Sequence, residues 1–146
     1  MIKDKDFKKM IKEIQDKIYE QDERDFSKAV IEEYRNPINF GVLKNPDAFG
    51  ELKGSCGDTM KFSLEIKDGK VIKGFFWTDG CGPSIACGNK LIKMILGKTL
   101  EDITLITSDD LDAALMGLPN ENKHCAVLAV NALNKAIKNY KKITKN

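Results

Sequence analysis

The chain has 146 residues, 42% hydrophobic and 32% charged, with a formal net charge of +2. That length makes one domain, or one domain with an appendage, able to bury about two-thirds of the surface its unfolded form exposes. Ordinary apolar content excludes wholesale disorder, and 24 Lys and Arg against 22 Asp and Glu argue against a nucleic-acid partner held by bulk charge.

Residues 1–25 contain no Gly or Pro and fifteen charged side chains. Phe7, Met10, Ile11, Ile14 and Ile18 recur at helical spacing, which predicts a separate N-terminal amphipathic helix ahead of a domain spanning 26–146. Such a stripe is expected to pack on its own domain, the other reading being a docking helix for a partner or second subunit. A short helix from Phe26 to Tyr34 stops at Arg35-Asn36-Pro37. Residues 37–58 read as loop, with a short edge strand near Phe49 to Leu52.

Met60, Phe62, Leu64 and Ile66 alternate with polar residues, the period of a half-buried strand. Asp68-Gly69 makes a hairpin turn into a return strand from Lys70 to Thr78. Pro83 opens a helix that Gly97 ends, Thr99 and Ser108 open two short helices, and a last helix runs from Cys125 to Ile143. The whole is an α+β domain: a small antiparallel sheet of about three strands, covered by helices on one face.

Met1-Ile2-Lys3 is followed by no apolar stretch of signal-peptide length, and no run approaches the ~18 apolar residues of a membrane span. The chain is therefore read as soluble and cytoplasmic, with no membrane partner. In a reducing compartment four cysteines favour metal binding or thiol chemistry over disulfides. Cys56, Cys81 and Cys125 sit at element junctions, two of them between glycines or beside one, where backbone N–H groups can approach sulfur. Placement at helix N-termini predicts Cys81 and Cys125 to be the more acidic pair. Their spacing contains no Cys-x2-Cys, so it matches neither zinc-finger nor ferredoxin patterns, and spacing alone leaves a shared metal site and scattered free thiols equally open.

Cys56-Gly57-Asp58, Gly80-Cys81-Gly82 and His124-Cys125, in that order, resemble the iron–sulfur cluster assembly scaffold family of the IscU type, equivalent to the N-terminal domain of NifU. Tyr34-Arg35-Asn36-Pro37 with Asn39 and Gly41, Gly97-Lys98-Thr99 and Leu118-Pro119 fall in register with it, so the resemblance runs from about Phe26 to Tyr140. The resemblance implies that Cys56, Cys81 and Cys125 hold a labile [2Fe–2S] cluster, with Asp58 or His124 as the remaining ligand. It implies a cysteine desulfurase as sulfur donor, acceptor proteins that receive the cluster, and a scaffold rather than an enzyme. A homodimer is a further association left open. A carboxylate or imidazole in place of a fourth thiolate is expected, from ligand softness, to let the cluster leave readily.

Departures from the family pattern carry expectations too. The stretch Leu118-Pro119-Asn120-Glu121-Asn122-Lys123 lacks the Leu-Pro-Pro-Val-Lys that a dedicated Hsp70 chaperone binds, which argues against that partner. Asn122 replaces a lysine, for which Lys123 offers a nearby charge, and Phe26 replaces a tyrosine. The insertion of the zinc-regulated SufU branch has no room in the 43 residues between Cys81 and Cys125. Cys87 is an additional thiol, read as a buried helix residue, with an auxiliary sulfur acceptor or ligand as its functional alternative. Phe75-Phe76-Trp77 reads as core and sheet surface, and Asp109-Asp110 as first-turn helix charge. The competing functions are a zinc protein using the same donors, and a persulfide carrier using Cys125 with His124 as base.

Overall fold

The fold, taken from a computed structural model, is described for residues 3–144. In chain order it comprises α1 (Asp4–Asp25), α2 (Lys28–Arg35), β1 (Ala48–Lys53), β2 (Thr59–Lys67), β3 (Lys70–Thr78), α3 (Gly82–Ile95), α4 (Leu100–Thr104), α5 (Ser108–Ala114), a 3-10 turn (Asn120–Asn122) and α6 (Lys123–Thr144). The sheet is antiparallel in the order β1-β2-β3. Asp68 and Gly69 both take positive φ, 53° and 75°, the geometry whose twist suits a two-residue hairpin.

Alternation decides which face is buried. Met60, Phe62 and Leu64 of β2 and Val71 and Phe76 of β3 are inaccessible to solvent and meet Leu91, Ile92 and Ile95 of α3. Ala129, Ala132, Leu133, Ala136 and Ile137 of α6 complete the core. The small residues of α6 let it lie almost on the strand backbone. A Cβ at Gly50 of β1 would overlap the backbone of Ala132 and Ala136. The other sheet face stays open, with Lys61 over Trp77 at 4.5 Å and Lys73 over Phe75 at 5.7 Å. Phe76 is core and its two neighbours are sheet surface, as the alternation requires.

The Tyr34-to-Gly41 segment is locked by buried polar groups. Asn89 of α3 donates to Glu33 at 2.6 Å and accepts the Asn39 backbone N–H at 3.0 Å, while Lys93 pairs with Glu33 at 3.0 Å. Asn39 and Gly41 then pair with the free edge of β3 at Phe76. Covering that edge removes a template for unwanted strand pairing.

Two expectations are corrected. The stripe of α1 does not pack on the domain: Phe7, Met10, Ile11, Ile14 and Ile18 are 38–52% exposed. The extended backbone of Phe26 (φ −129°, ψ 154°) turns the chain at the helix end, so α1 meets the body at that end. There Asp22 bonds Tyr34 and faces Arg35 at 3.9 Å, and the Arg35 guanidinium lies 3.9 Å over the Tyr19 ring. The second correction is small: α5 is capped by Thr107, one residue earlier than expected, because Asp110 completes a reciprocal capping box with it.

Candidate metal centre

Three segments bring the candidate donors to one end of the sheet. The turn carrying Cys56 closes through Gly57 N–H to Gly54 O at 3.0 Å and Gly54 N–H to Asp58 O at 2.7 Å. Across the strand pair, Asp79 accepts the Thr59 N–H at 2.7 Å and Thr78 Oγ1 accepts the Gly80 N–H at 3.1 Å, shaping the turn into Cys81. Cys81 is the N-cap residue of α3, and its carbonyl accepts the Ile85 N–H. Cys125 is the third residue of α6, behind His124.

These segments touch in an unbroken line. The Cys56 thiol donates to Asp58 Oδ2 at 3.5 Å. That carboxylate lies against Gly80, where a Cβ would stand 2.9 Å from Oδ2 and 2.6 Å from Ser84 Oγ. Only glycine allows both groups to close on the backbone beside Cys81. Ser84 Oγ donates to Cys125 Sγ at 3.4 Å, and His124 Nε2 lies 3.7 Å from the same sulfur. A cleft of about 290 Å³ lined by Gly54, Ser55, His124, Val127 and Asn131 opens beside it. Among the described residues, no three His, Cys, Asp or Glu side chains close on a single point as a ready-made ion cage.

Electrostatics corrects the expected acidity of Cys125. Burial pushes its thiol above the ordinary value, the Ser84 hydroxyl bond lowers it, and the negative charges of Cys81, Cys56 and Asp58 raise it. Desolvation is the largest of these influences because Cys125 is only 2% exposed. Cys87, inside α3 and inaccessible, is pushed up much further by burial, then by the charges of Cys125, Asp112 and Cys81. All four cysteines are free; Cys56 and Cys81 are exposed.

Sequence reasoning singled out Cys56, Asp58, Cys81, His124 and Cys125, all of which lie in this region. It missed Ser84, which is fully buried, packs against Gly80 and donates to the Cys125 sulfur. A serine in the first turn of a helix entered from a cysteine was the available signal. Lys123 does not offer a free charge beside the site: it pairs with Asp112 at 3.2 Å. Asp112 also accepts the Leu118 N–H at 2.8 Å, which holds its carboxyl below the usual range and ties the Leu118–Lys123 stretch to α5. Phe26 packs edge-on against Tyr34 at 6.5 Å, and the Tyr34 ring covers Gly82 beside Cys81.

A three-stranded antiparallel sheet backed by helices, with two exposed thiols and one buried thiol at three of its junctions, defines a small α+β domain with a thiol-bearing end. The family model described as the NifU-like N terminal domain matches residues 25–146, and the chain belongs to that family. It is 36% identical over 116 residues to an iron–sulfur cluster assembly scaffold protein IscU of Archaeoglobus fulgidus, covering 79% of this chain and 76% of that one. It is 37% identical over 126 residues to the IscU scaffold protein of Rickettsia prowazekii, covering 83% and 95%. The fold matches the crystal structure of a NifU-like N-terminal protein from Brucella abortus with a TM-score of 0.67 at 18% identity, over 80% of this chain and 94% of that one.

Proposed function

We propose that this protein is a scaffold on which a [2Fe–2S] cluster is assembled from iron and desulfurase-derived sulfur, then passed to acceptor proteins. The observation that carries the reading is the line of contact from Cys56 through Asp58, Gly80 and Ser84 to Cys125 and His124. Relatives named as IscU scaffold proteins support it. No helix among the described residues is long and apolar enough to cross a membrane, and a cytoplasmic setting fits thiols kept reduced.

The cluster is cargo, and the donor chemistry suits it. Thiolates are the preferred ligands of iron–sulfur clusters, and Cys56, Cys81 and Cys125 supply three. Asp58 or His124 supplies a harder or neutral fourth, which weakens retention. Exposed Cys56 and Cys81 are open to a sulfur donor, while buried Cys125 forms the floor and is held by Ser84. The chain performs no turnover chemistry of its own in this account. Zinc on the same donors is a substitute occupant.

The role of Asp58 is tested by loading the parent and Asp58→Ala proteins with cluster anaerobically and mixing each with an apo-ferredoxin. The substitution is expected to slow transfer about tenfold or more, equivalent to roughly 1.4 kcal/mol of barrier. Equal transfer rates would remove Asp58 as the ligand that makes the cluster labile.

A further inference from the structure

From the stripe and charge pattern of α1 we infer that this helix pairs antiparallel with α1 of a second copy of the chain. Phe7, Ile11, Ile14 and Ile18 follow one another at intervals of four, three and four, the a/d spacing of a two-helix seam. All four are exposed, and every described α1 residue is exposed except half-buried Asp22. The seam is self-complementary in one antiparallel register. Phe7 comes opposite the partner's Ile18, and Ile11 opposite the partner's Ile14, so these four seam positions meet apolar partners, while Met10 flanks the seam opposite the partner's Gln15.

Charge selects the orientation. About the centre of that register, residues 3–12 carry five lysines and two aspartates, a net +3. Residues 13–22 carry Glu13, Asp16, Glu20 and Asp22 against Lys17 alone, a net −3. Antiparallel pairing sets each basic half against an acidic half twice, whereas parallel pairing sets like against like. The same division of charge runs against the helix's own dipole. Beyond Asp4 and Asp6 in the first turn and Arg24 in the last, positive charge lies toward the N-terminus and negative toward the C-terminus, against the macrodipole. Lys3 at the N-cap makes no side-chain capping bond either. At about 33 Å, the helix is long enough to place the two bodies at opposite ends of the pair, with their cysteine sites apart. The association therefore needs no cluster or metal.

Sedimentation equilibrium of the full chain, reduced and treated with a chelator, tests this over about a hundredfold range of concentration. The mass is expected to rise from that of the 16.4 kDa monomer toward twice that value, less readily in high salt. Ile14→Asp is expected to stay monomeric while the body's unfolding transition is unchanged, because Ile14 is exposed and lies outside the buried core. Lys5→Glu, Lys8→Glu and Lys9→Glu together should weaken the dimer at least tenfold, since they set acidic against acidic halves. A parent chain monomeric at every concentration overturns the inference and leaves the stripe to a different protein. A dimer indifferent to Ile14→Asp, or to the triple charge change, overturns the seam or its orientation. Cluster loading is unaffected in either case, so this result and the scaffold reading stand or fall separately.

Discussion

Cys56 and Cys81 stand exposed in turns at one end of the sheet, whereas Cys87 and Cys125 are buried in α3 and α6. Burial alone would class Cys125 with Cys87 as packing. Polar company separates them. The Cys125 sulfur accepts the Ser84 hydroxyl and faces His124, while among the described residues the Cys87 sulfur makes no hydrogen bond. A buried thiol with hydrogen-bond partners at the edge of open turns can floor a binding site; one surrounded by hydrocarbon fills space.

The same substitution in the two buried thiols should therefore cost unequal amounts. Cys87→Ser puts a hydroxyl without a partner into the core and is expected to remove about 1–3 kcal/mol by denaturant titration. Cys125→Ser meets Ser84 and His124 and should cost less than half as much. Equal costs would erase the distinction drawn between the two sites.

The pH dependence of stability sharpens the same contrast. Burial holds both thiols protonated in the folded chain, so as pH rises the unfolded chain releases its thiol protons first. Their contribution is fully present below the ordinary value of 9.0 and is lost as pH climbs toward the raised folded values. The unfolding midpoint is expected to fall above that pH, and Cys87→Ala should flatten the fall more than Cys125→Ala. A midpoint that rises there would contradict the burial account.

The smallest effect is kinetic. Iodoacetamide followed by peptide mass analysis should modify Cys56 and Cys81 first, Cys125 slowly, and Cys87 only when the chain unfolds. Ser84→Ala should slow Cys125 further, because its hydroxyl stabilises the thiolate. Faster labelling of Cys125 in that variant would mean that Ser84 shields the sulfur instead.

Much of this was legible in the residues. The alternation from Met60 to Ile66, the Asp68-Gly69 turn and Pro83 after Cys81 dictate the hairpin and the helix that follows it, and the structure has both. The junction words around Cys56, Cys81 and Cys125 come together at one end of the sheet. What escaped depends on how elements meet. Periodicity says which face of α1 is apolar but not what covers it, and among the described residues that face stays exposed. A helix N-terminus predicts an acidic Cys125, yet only the packed structure reveals the burial that raises its thiol. Ser84 is one serine among several until the fold brings it between Gly80 and Cys125.

The most direct test is anaerobic reconstitution with ferrous iron and sulfide on the parent, Cys87→Ala and Cys125→Ser proteins, read by visible absorption and by iron and sulfide content. The account predicts a coloured [2Fe–2S] species in the parent and Cys87→Ala chains, lost in Cys125→Ser. A cluster retained in Cys125→Ser, or a parent chain that takes up no cluster and instead holds zinc tightly, would contradict it.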